Sequence, residues 1–426
     1  MSPALDACPG VLVLHPARDG LVARIRLPGG YATAARWRAL ADLARDFGDG
    51  CVDVTARGNV QLRGLRAADG PALAARAAAA GLMPSAEHDR ARNIMASPLS
   101  GLDGRPPLRA LVEALDAALL AGPEFAALPG RFLFALDDGT GGASLASCDI
   151  GLSWVAGAPG SGGFDLYVAG RHTGVRVPAG AAVAAVLAAT RAALAAGVGD
   201  SVTRVAALPD GGESVAAAAG GTFGAPASPD TRLPLGPVPG SRARGADLHD
   251  RDRLPPVFAV ETVVIMENSS REQALVVAAR LGRLTGDQIE AIAGLAAPGD
   301  VVRVGVAGRL AIPVGGAGDG GQASGGGQAG GTGRAGGGGT VGGALARLAA
   351  AGLIVSAEDP MGDVTACSGA ACHRSLADVR AAARPVPNYG KTHWAGCSRR
   401  CGCPPDAEPV VALDATRYRM PGEGGA

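Results

Sequence analysis

Lysine is almost missing from this chain: Lys391 is the only one, and the other cations are arginines. Net charge is missing as well, because 39 Lys and Arg are balanced by 39 Asp and Glu. A chain without cationic surplus lacks the phosphate-neutralising charge on which nucleic-acid binding rests. The same balance argues against electrostatic docking on a membrane surface. Aromatic residues are scarce, at 3%, although apolar residues reach 47%. The core must therefore be built from Ala, Val and Leu in many small, closely packed elements. Long hydrophobic runs are absent too. The run at 10–14 is short and follows no basic stretch, so it does not read as a secretory signal. Residues 179–199 are interrupted by Arg191 and read as an Ala-rich helix rather than a membrane span. The expected location is cytoplasmic, with no membrane and no nucleic-acid partner.

What is present divides into five stretches. In residues 1–85, positions 22–27 alternate as a strand, and Thr33 is placed to cap a helix with the apolar stripe Trp37, Leu40, Ala41, Ala44 and Phe47. Val52, Val54, Val60 and Leu62 form a second alternating stretch, bent at Arg57-Gly58-Asn59, and an Ala-rich helix completes a strand–helix–strand–helix module. Residues 86–205 read as an α/β domain, with a helix over 108–120, strands near 131–136, 151–155 and 164–168, and the turn signal Asp137-Asp138-Gly139. Pro, Gly and Ser mark 206–256 as a linker.

Residues 257–355 partly repeat the first module. They carry a strand at 257–266, a helix from Thr285 with Gln288 completing a capping box, and a strand pair at 301–304 and 310–314. A glycine-dominated insertion, 315–339, precedes a last helix near 343–351. Residues 316–321 fit G-x-G-x-x-G, but no helix opens there and no acidic residue follows about 20 positions on, so no dinucleotide site is read.

The tail, 356–426, holds five of the eight cysteines. Cys8, Cys51 and Cys148 are scattered and read as small buried apolar side chains. Four of the tail cysteines form two short pairs: Cys367 and Cys372 enclose four residues, Cys397 and Cys401 enclose three, and 24 lie between the pairs. An expected helix over 376–383, capped by Ser375, would bring its positive end near the thiolates. Four soft thiolates on two loops can wrap an iron–sulfur cluster or hold structural zinc, and spacing alone leaves both open.

Several phrases carry a resemblance. Thr55-Ala-Arg57-Gly-Asn59-Val-Gln61-Leu-Arg63 resembles the T-x-R-x-N-x-Q-L-R element of the sulfite/nitrite reductase superfamily. Leu128-Pro-Gly-Arg131-Phe resembles its L-P-x-K-F segment, and the two cysteine pairs its cluster ligands. Cys8-Pro-Gly, Asn93-Ile-Met-Ala-Ser-Pro-Leu-Ser-Gly101 and Phe132-Leu-Phe-Ala-Leu-Asp-Asp138-Gly narrow the likeness to the precorrin-3B synthase branch.

The resemblance implies an α+β fold of two ferredoxin-like half-modules with pseudo-twofold symmetry, plus α/β domains of the sulfite/nitrite reductase type. It implies a 4Fe–4S cluster on Cys367, Cys372, Cys397 and Cys401, and a mononuclear non-haem iron whose ligands no residue pattern identifies. The implied reaction is an O2-dependent hydroxylation of precorrin-3A with lactone formation, NADH supplying electrons through a partner reductase. The alternative in the superfamily is a sirohaem-dependent sulfite or nitrite reductase. A tetrapyrrole edged with carboxylates suits bidentate binding by Arg57, Arg63, Arg92 and Arg131, with the amides of Asn59 and Gln61 on the same phrase.

The chain departs from the family pattern in three places. The first cysteine pair is one residue short, and Cys403 offers a substitute ligand. The second half keeps only Arg303 and Arg309 of a basic phrase. Reductases commonly carry a second lysine where Leu133 stands, and a leucine there suits a bulky organic substrate better than a small anion. No catalytic residue is identified; His393, four residues before Cys397, is the histidine most suggestive of an iron ligand, though a structural role outweighs it, and His172 and His15 have no flanking metal pattern.

Overall fold

The structure is a computed structural model that describes residues 6–101, 106–143, 145–157, 162–223, 273–297, 299–305, 308–314, 341–356, 358–404 and 406–423. The expected strand at 257–266, the glycine insertion and the linker beyond 223 lie outside them. Within the stretch read as linker, Glu213–Phe223 is a helix, lying on helix Ala182–Ala195.

The α+β expectation holds, and the two half-modules exchange strands. One sheet runs His15–Ala17, Gly20–Ile25, Val60–Leu65, Cys51–Val54, and then Arg283–Thr285 from the second half. The other runs Gln273–Ala278, Arg309–Val314, Val301–Val304, and then Tyr31–Thr33 from the first half. Each exchanged strand ends in a threonine that caps the next helix. Thr33 accepts from the Arg36 amide, and Thr285 forms a full capping box with Gln288. Before each exchanged strand the chain turns through left-handed backbone, at Gly29 and Gly30 in one half and Leu281 and Gly282 in the other. One continuous core results, joining Trp37, Leu40 and Leu62 to Leu284, Ile289 and Val302. Burying both sheets and their helices in it makes the halves a single packed body rather than two domains on a tether.

Residues 86–223 build a third sheet, ordered Arg171–Pro178, Gly163–Val168, Ile150–Val155, Phe134–Asp137, Ile94–Ala96, the last three mutually parallel. Helices Arg109–Ala121, Ala182–Ala195 and Glu213–Phe223 share a core with it through Phe134, Leu136, Ile150 and Leu152. Alternate residues on the strands form a separate apolar cluster of Met95, Leu133, Ala135 and Tyr167. The tail builds a fourth sheet, Val364–Ala366, Thr392–Ala395, Glu408–Ala412, Tyr418–Arg419. Its first three strands are parallel, with Ala366 opposite Trp394. Among the described residues no helix is long and apolar enough to cross a membrane.

Candidate functional site

Both cysteine pairs open at the same end of the tail sheet. Cys367 follows strand Val364–Ala366 at once, and Cys397 lies two residues beyond its parallel neighbour Thr392–Ala395. Parallel strands carry their C-terminal loops to one edge, where ligand sites of such sheets form, so 24 residues of separation cost nothing in space. The loops are joined: the Cys367 amide donates to the Trp394 carbonyl (3.0 Å) and the Leu376 amide to the Gly396 carbonyl (2.8 Å). The Cys367 sulfur accepts from the Gly396 amide (3.2 Å) and the Gly369 amide (3.4 Å). Such donors stabilise a thiolate. Gly396 is required there, since a Cβ would stand 1.8 Å from the Ser375 hydroxyl.

Four of the five tail thiols share one electrostatic neighbourhood. Burial pushes the Cys401 thiol up, with Arg399 opposing and Cys397, Cys367 and Cys372 adding to the rise. Cys403 is apart. Its sulfur donates to the Pro404 and Ala407 carbonyls, and its thiol is pushed up to about 11 by burial, with Glu408 and Asp406 beside it. It is a spare thiol and no substitute ligand in this conformation. Among the described residues no three His, Cys, Asp or Glu side chains are grouped as one metal ion requires. A zinc ion would hold its four sulfurs about 3.8 Å apart. Four thiols that feel one another's charge can also take a cuboidal cluster, in which each sulfur binds a different iron. No ligand set for a mononuclear iron is identified among the described residues.

The expected helix over 376–383 is shortened to Val379–Ala382, with Asp378 as its cap. The Ser375 hydroxyl donates instead to the Ala377 carbonyl, and the Leu376 amide is taken by Gly396. The expected helix dipole behind Cys372 is therefore not formed, and the donors recorded at a tail sulfur are the Gly369 and Gly396 amides on Cys367. His393 lies buried beneath the loops, its Nδ1 2.9 Å from the Thr365 hydroxyl. Burial pushes its imidazole down to about 4, so it is neutral at pH 7.

The family phrases of the first 138 residues lock onto one another. Asn59 accepts from the Leu27 amide and donates to Asn93, which donates to the Phe132 carbonyl. Cys8 donates to the Gly130 carbonyl, and the Gly130 amide donates to Asp6. A Cβ on Gly130 would stand 3.0 Å from Arg26 and from Cys8.

This interlocking redistributes the six side chains expected to bind substrate. Asn59 is spent within the protein. Arg92 makes a two-toothed pair with Asp116, both contacts 2.6 Å, and is buried. Arg63 does the same with Asp19 at 2.9 and 3.0 Å. Neither presents a free guanidinium fork. Gln61 accepts from Arg24 (2.7 Å). Arg57 and Arg131 have no carboxylate partner among the described residues. The Arg57 guanidinium is pushed down to about 10, first by burial, then by Arg204 and Arg24, with Arg131 adding to the effect and Cys8 opposing it. Arg204 and Arg24 were not legible as site residues; their nearness to Arg57 is visible only in three dimensions. Arg92→Gln is expected to cost about 3 kcal/mol of stability, as breaking a buried pair does, read as a lower urea midpoint with ligand affinity little changed.

Two observations fix what the chain is similar to. The nitrite/sulfite reductase ferredoxin-like half-domain model matches over residues 15–80. Residues 15–80 are such a half domain. The solved NirA protein of Mycobacterium tuberculosis has the same overall fold, with a TM-score of 0.61 over 95% of this chain and 76% of that one, at 18% identity. Ferredoxin–nitrite reductase of Synechococcus elongatus is 34% identical over 172 residues, 38% of this chain and 34% of the relative. Precorrin-3B synthase of a Sinorhizobium species is 39% identical over 118 residues, 26% of this chain and 24% of the relative. The matched stretches thus span about a third or less of these relatives' length. The half domain embraces Arg57, Gln61 and Arg63 together with the two strands, Tyr31–Thr33 and Cys51–Val54, that pair with the second half.

Proposed function

We propose that this chain is an iron–sulfur oxidoreductase acting on a tetrapyrrole, and specifically a precorrin-3B synthase-like monooxygenase that hydroxylates precorrin-3A with O2 and closes a lactone. Cys367, Cys372, Cys397 and Cys401 would hold a 4Fe–4S cluster, which when bound supplies one-electron transfer, with NADH the source through a partner reductase. The chain's own contribution to the substrate is charge and shape. Arg57 and Arg131 offer guanidinium forks to peripheral carboxylates, and Gln61 a side-chain amide beside them. The observation that carries the organic-substrate reading is Leu133. It is fully buried among Met95, Ala135 and Tyr167, where an anion reductase needs a further cation. A site that lacks that cation, and whose Arg57 and Arg131 have no carboxylate partner among the described residues, suits a macrocycle with charged edges.

The sequence relatives named ferredoxin–nitrite reductase support a second reading, a sirohaem-dependent sulfite or nitrite reductase. Anaerobically purified protein separates the two. The synthase reading expects stoichiometric iron and sulfide, broad visible absorption without sirohaem bands, and NADH- and O2-dependent conversion of precorrin-3A. Sirohaem bands with nitrite or sulfite turnover and no conversion of precorrin-3A would replace it with the reductase.

A further inference from the structure

The loop that bears the first cysteine pair is held by two arginines, Arg380 from within the tail and Arg63 from the first half, anchored on Asp53 and Asp19 respectively. Arg380 donates through Nε to the Cys367 carbonyl (3.1 Å) and through Nη1 and Nη2 to both oxygens of Asp53 (3.2 and 3.3 Å). Arg63 donates through Nη2 to the Ala371 carbonyl (3.2 Å) and through Nη1 to the Ser368 hydroxyl (3.5 Å), while Nε and Nη2 grip Asp19. The loop from 367 to 371 is thus touched on its first, second and fifth residues by guanidinium groups whose other teeth are fixed to strand Cys51–Val54 and to the turn at Asp19.

Asp53 is the hub. It is 2% exposed and sees three cations, Arg380, Arg283 at 3.6 Å and Arg63 at 4.0 Å. Arg283 comes from the exchanged strand of the second half, paired directly opposite Asp53. This buried carboxylate meets three guanidiniums, and two of them, Arg380 and Arg63, are also bonded to the loop. Position on the sheet is thereby passed to the backbone of Cys367. The loop has little regular structure of its own: three residues of 3-10 helix at Gly369–Ala371 and left-handed backbone at Gly369.

We infer that Arg63 and Arg380 are positioning residues, a clamp that sets where Cys367 and Cys372 stand relative to the half-domain sheet. This withdraws Arg63 from substrate binding. The consequence for cofactor retention rests on the cluster reading above; the clamp itself does not. Arg283 provides the internal control, since its ion pairs run to Asp53 and Asp49 and, among the described residues, none runs to the loop.

Hydrogen exchange over 364–376 on the full-length chain tests it, alongside iron and sulfide per chain. Arg380→Gln and Arg63→Gln are expected to raise exchange in that segment roughly tenfold, the loss of one charge-assisted hydrogen bond, and to lower cluster content. Arg283→Gln should leave both as in wild type. Arg380→Lys keeps a charge beside Asp53 but has no fork to reach the Cys367 carbonyl as well. It should show the same selective rise if the glutamine variants fail to fold. Unchanged exchange in the clamp variants, or an equal rise in Arg283→Gln, overturns the clamp. A wild-type protein without iron and sulfide overturns the cluster reading instead, and the exchange data still decide the clamp.

Discussion

Cys397→Ser is expected to purify without the visible chromophore, without stoichiometric iron or sulfide, and with activity at background. A cuboidal cluster takes one soft anionic ligand at each of four irons, and a serine hydroxyl is harder and far less acidic than a thiol. Cys397 sits two residues past a buried strand whose Trp394 is 1% exposed, so the backbone there cannot shift to recruit another donor. The one spare sulfur nearby, Cys403, is turned toward the carbonyls of Pro404 and Ala407. Cys403→Ser should therefore leave iron, sulfide and activity at wild-type levels. The pair of variants separates a cluster built on the four converging thiols from one that uses any sulfur in the tail. A cluster-replete Cys397→Ser protein, or cluster loss in Cys403→Ser, would refute the ligand set.

The elements with strong local signals were legible in advance. Thr33 and Thr285 announce their helices because a threonine before an apolar period of 3.6 has few other uses. The cysteine pairs were legible for a similar reason: five thiols in one short tail demand a shared cause. The strand exchange was not legible. Tyr31–Thr33 and Arg283–Thr285 are three residues each, too short to show alternation, and their partners lie hundreds of residues away in sequence. The arginines failed differently. A motif marks Arg57 and Arg63, and Arg92 directly precedes another phrase, yet what separates the three is whether a carboxylate waits nearby in space. Asp19 and Asp116 claim two of the three, and nothing in the local pattern of either aspartate says so. The helix expected over 376–383 shows the opposite failure, a plausible cap overruled by tertiary contacts. Gly396 packs so close to Ser375 that the serine turns to Ala377 and the next amide is already bonded.

Arg57→Gln should move stability and binding in opposite directions. Without ligand, Arg57 is half-buried near Arg204, Arg24 and Arg131, and its guanidinium is pushed well below the usual arginine range by that burial and those charges. Arg204 has Asp149 as its own counter-charge at 2.6 Å, but no carboxylate among the described residues answers Arg57. Removing its charge relieves repulsion and desolvation together, so the ligand-free variant should unfold at an unchanged or higher temperature. A polycarboxylate ligand supplies the missing counter-charge, and its bidentate contact disappears with the guanidinium. Affinity for the tetrapyrrole should then fall roughly 10- to 100-fold, the value of one charge-assisted contact of about 1.5–3 kcal/mol. Arg92→Gln should do the reverse, losing stability and keeping affinity, because its partner is Asp116 and not the ligand. Calorimetric unfolding and a tetrapyrrole binding titration on the two variants read both signs. Were Arg57→Gln to destabilise the free protein while binding as wild type does, Arg57 would belong to the scaffold with Arg92, and the site would have lost its cation best placed to meet a carboxylate.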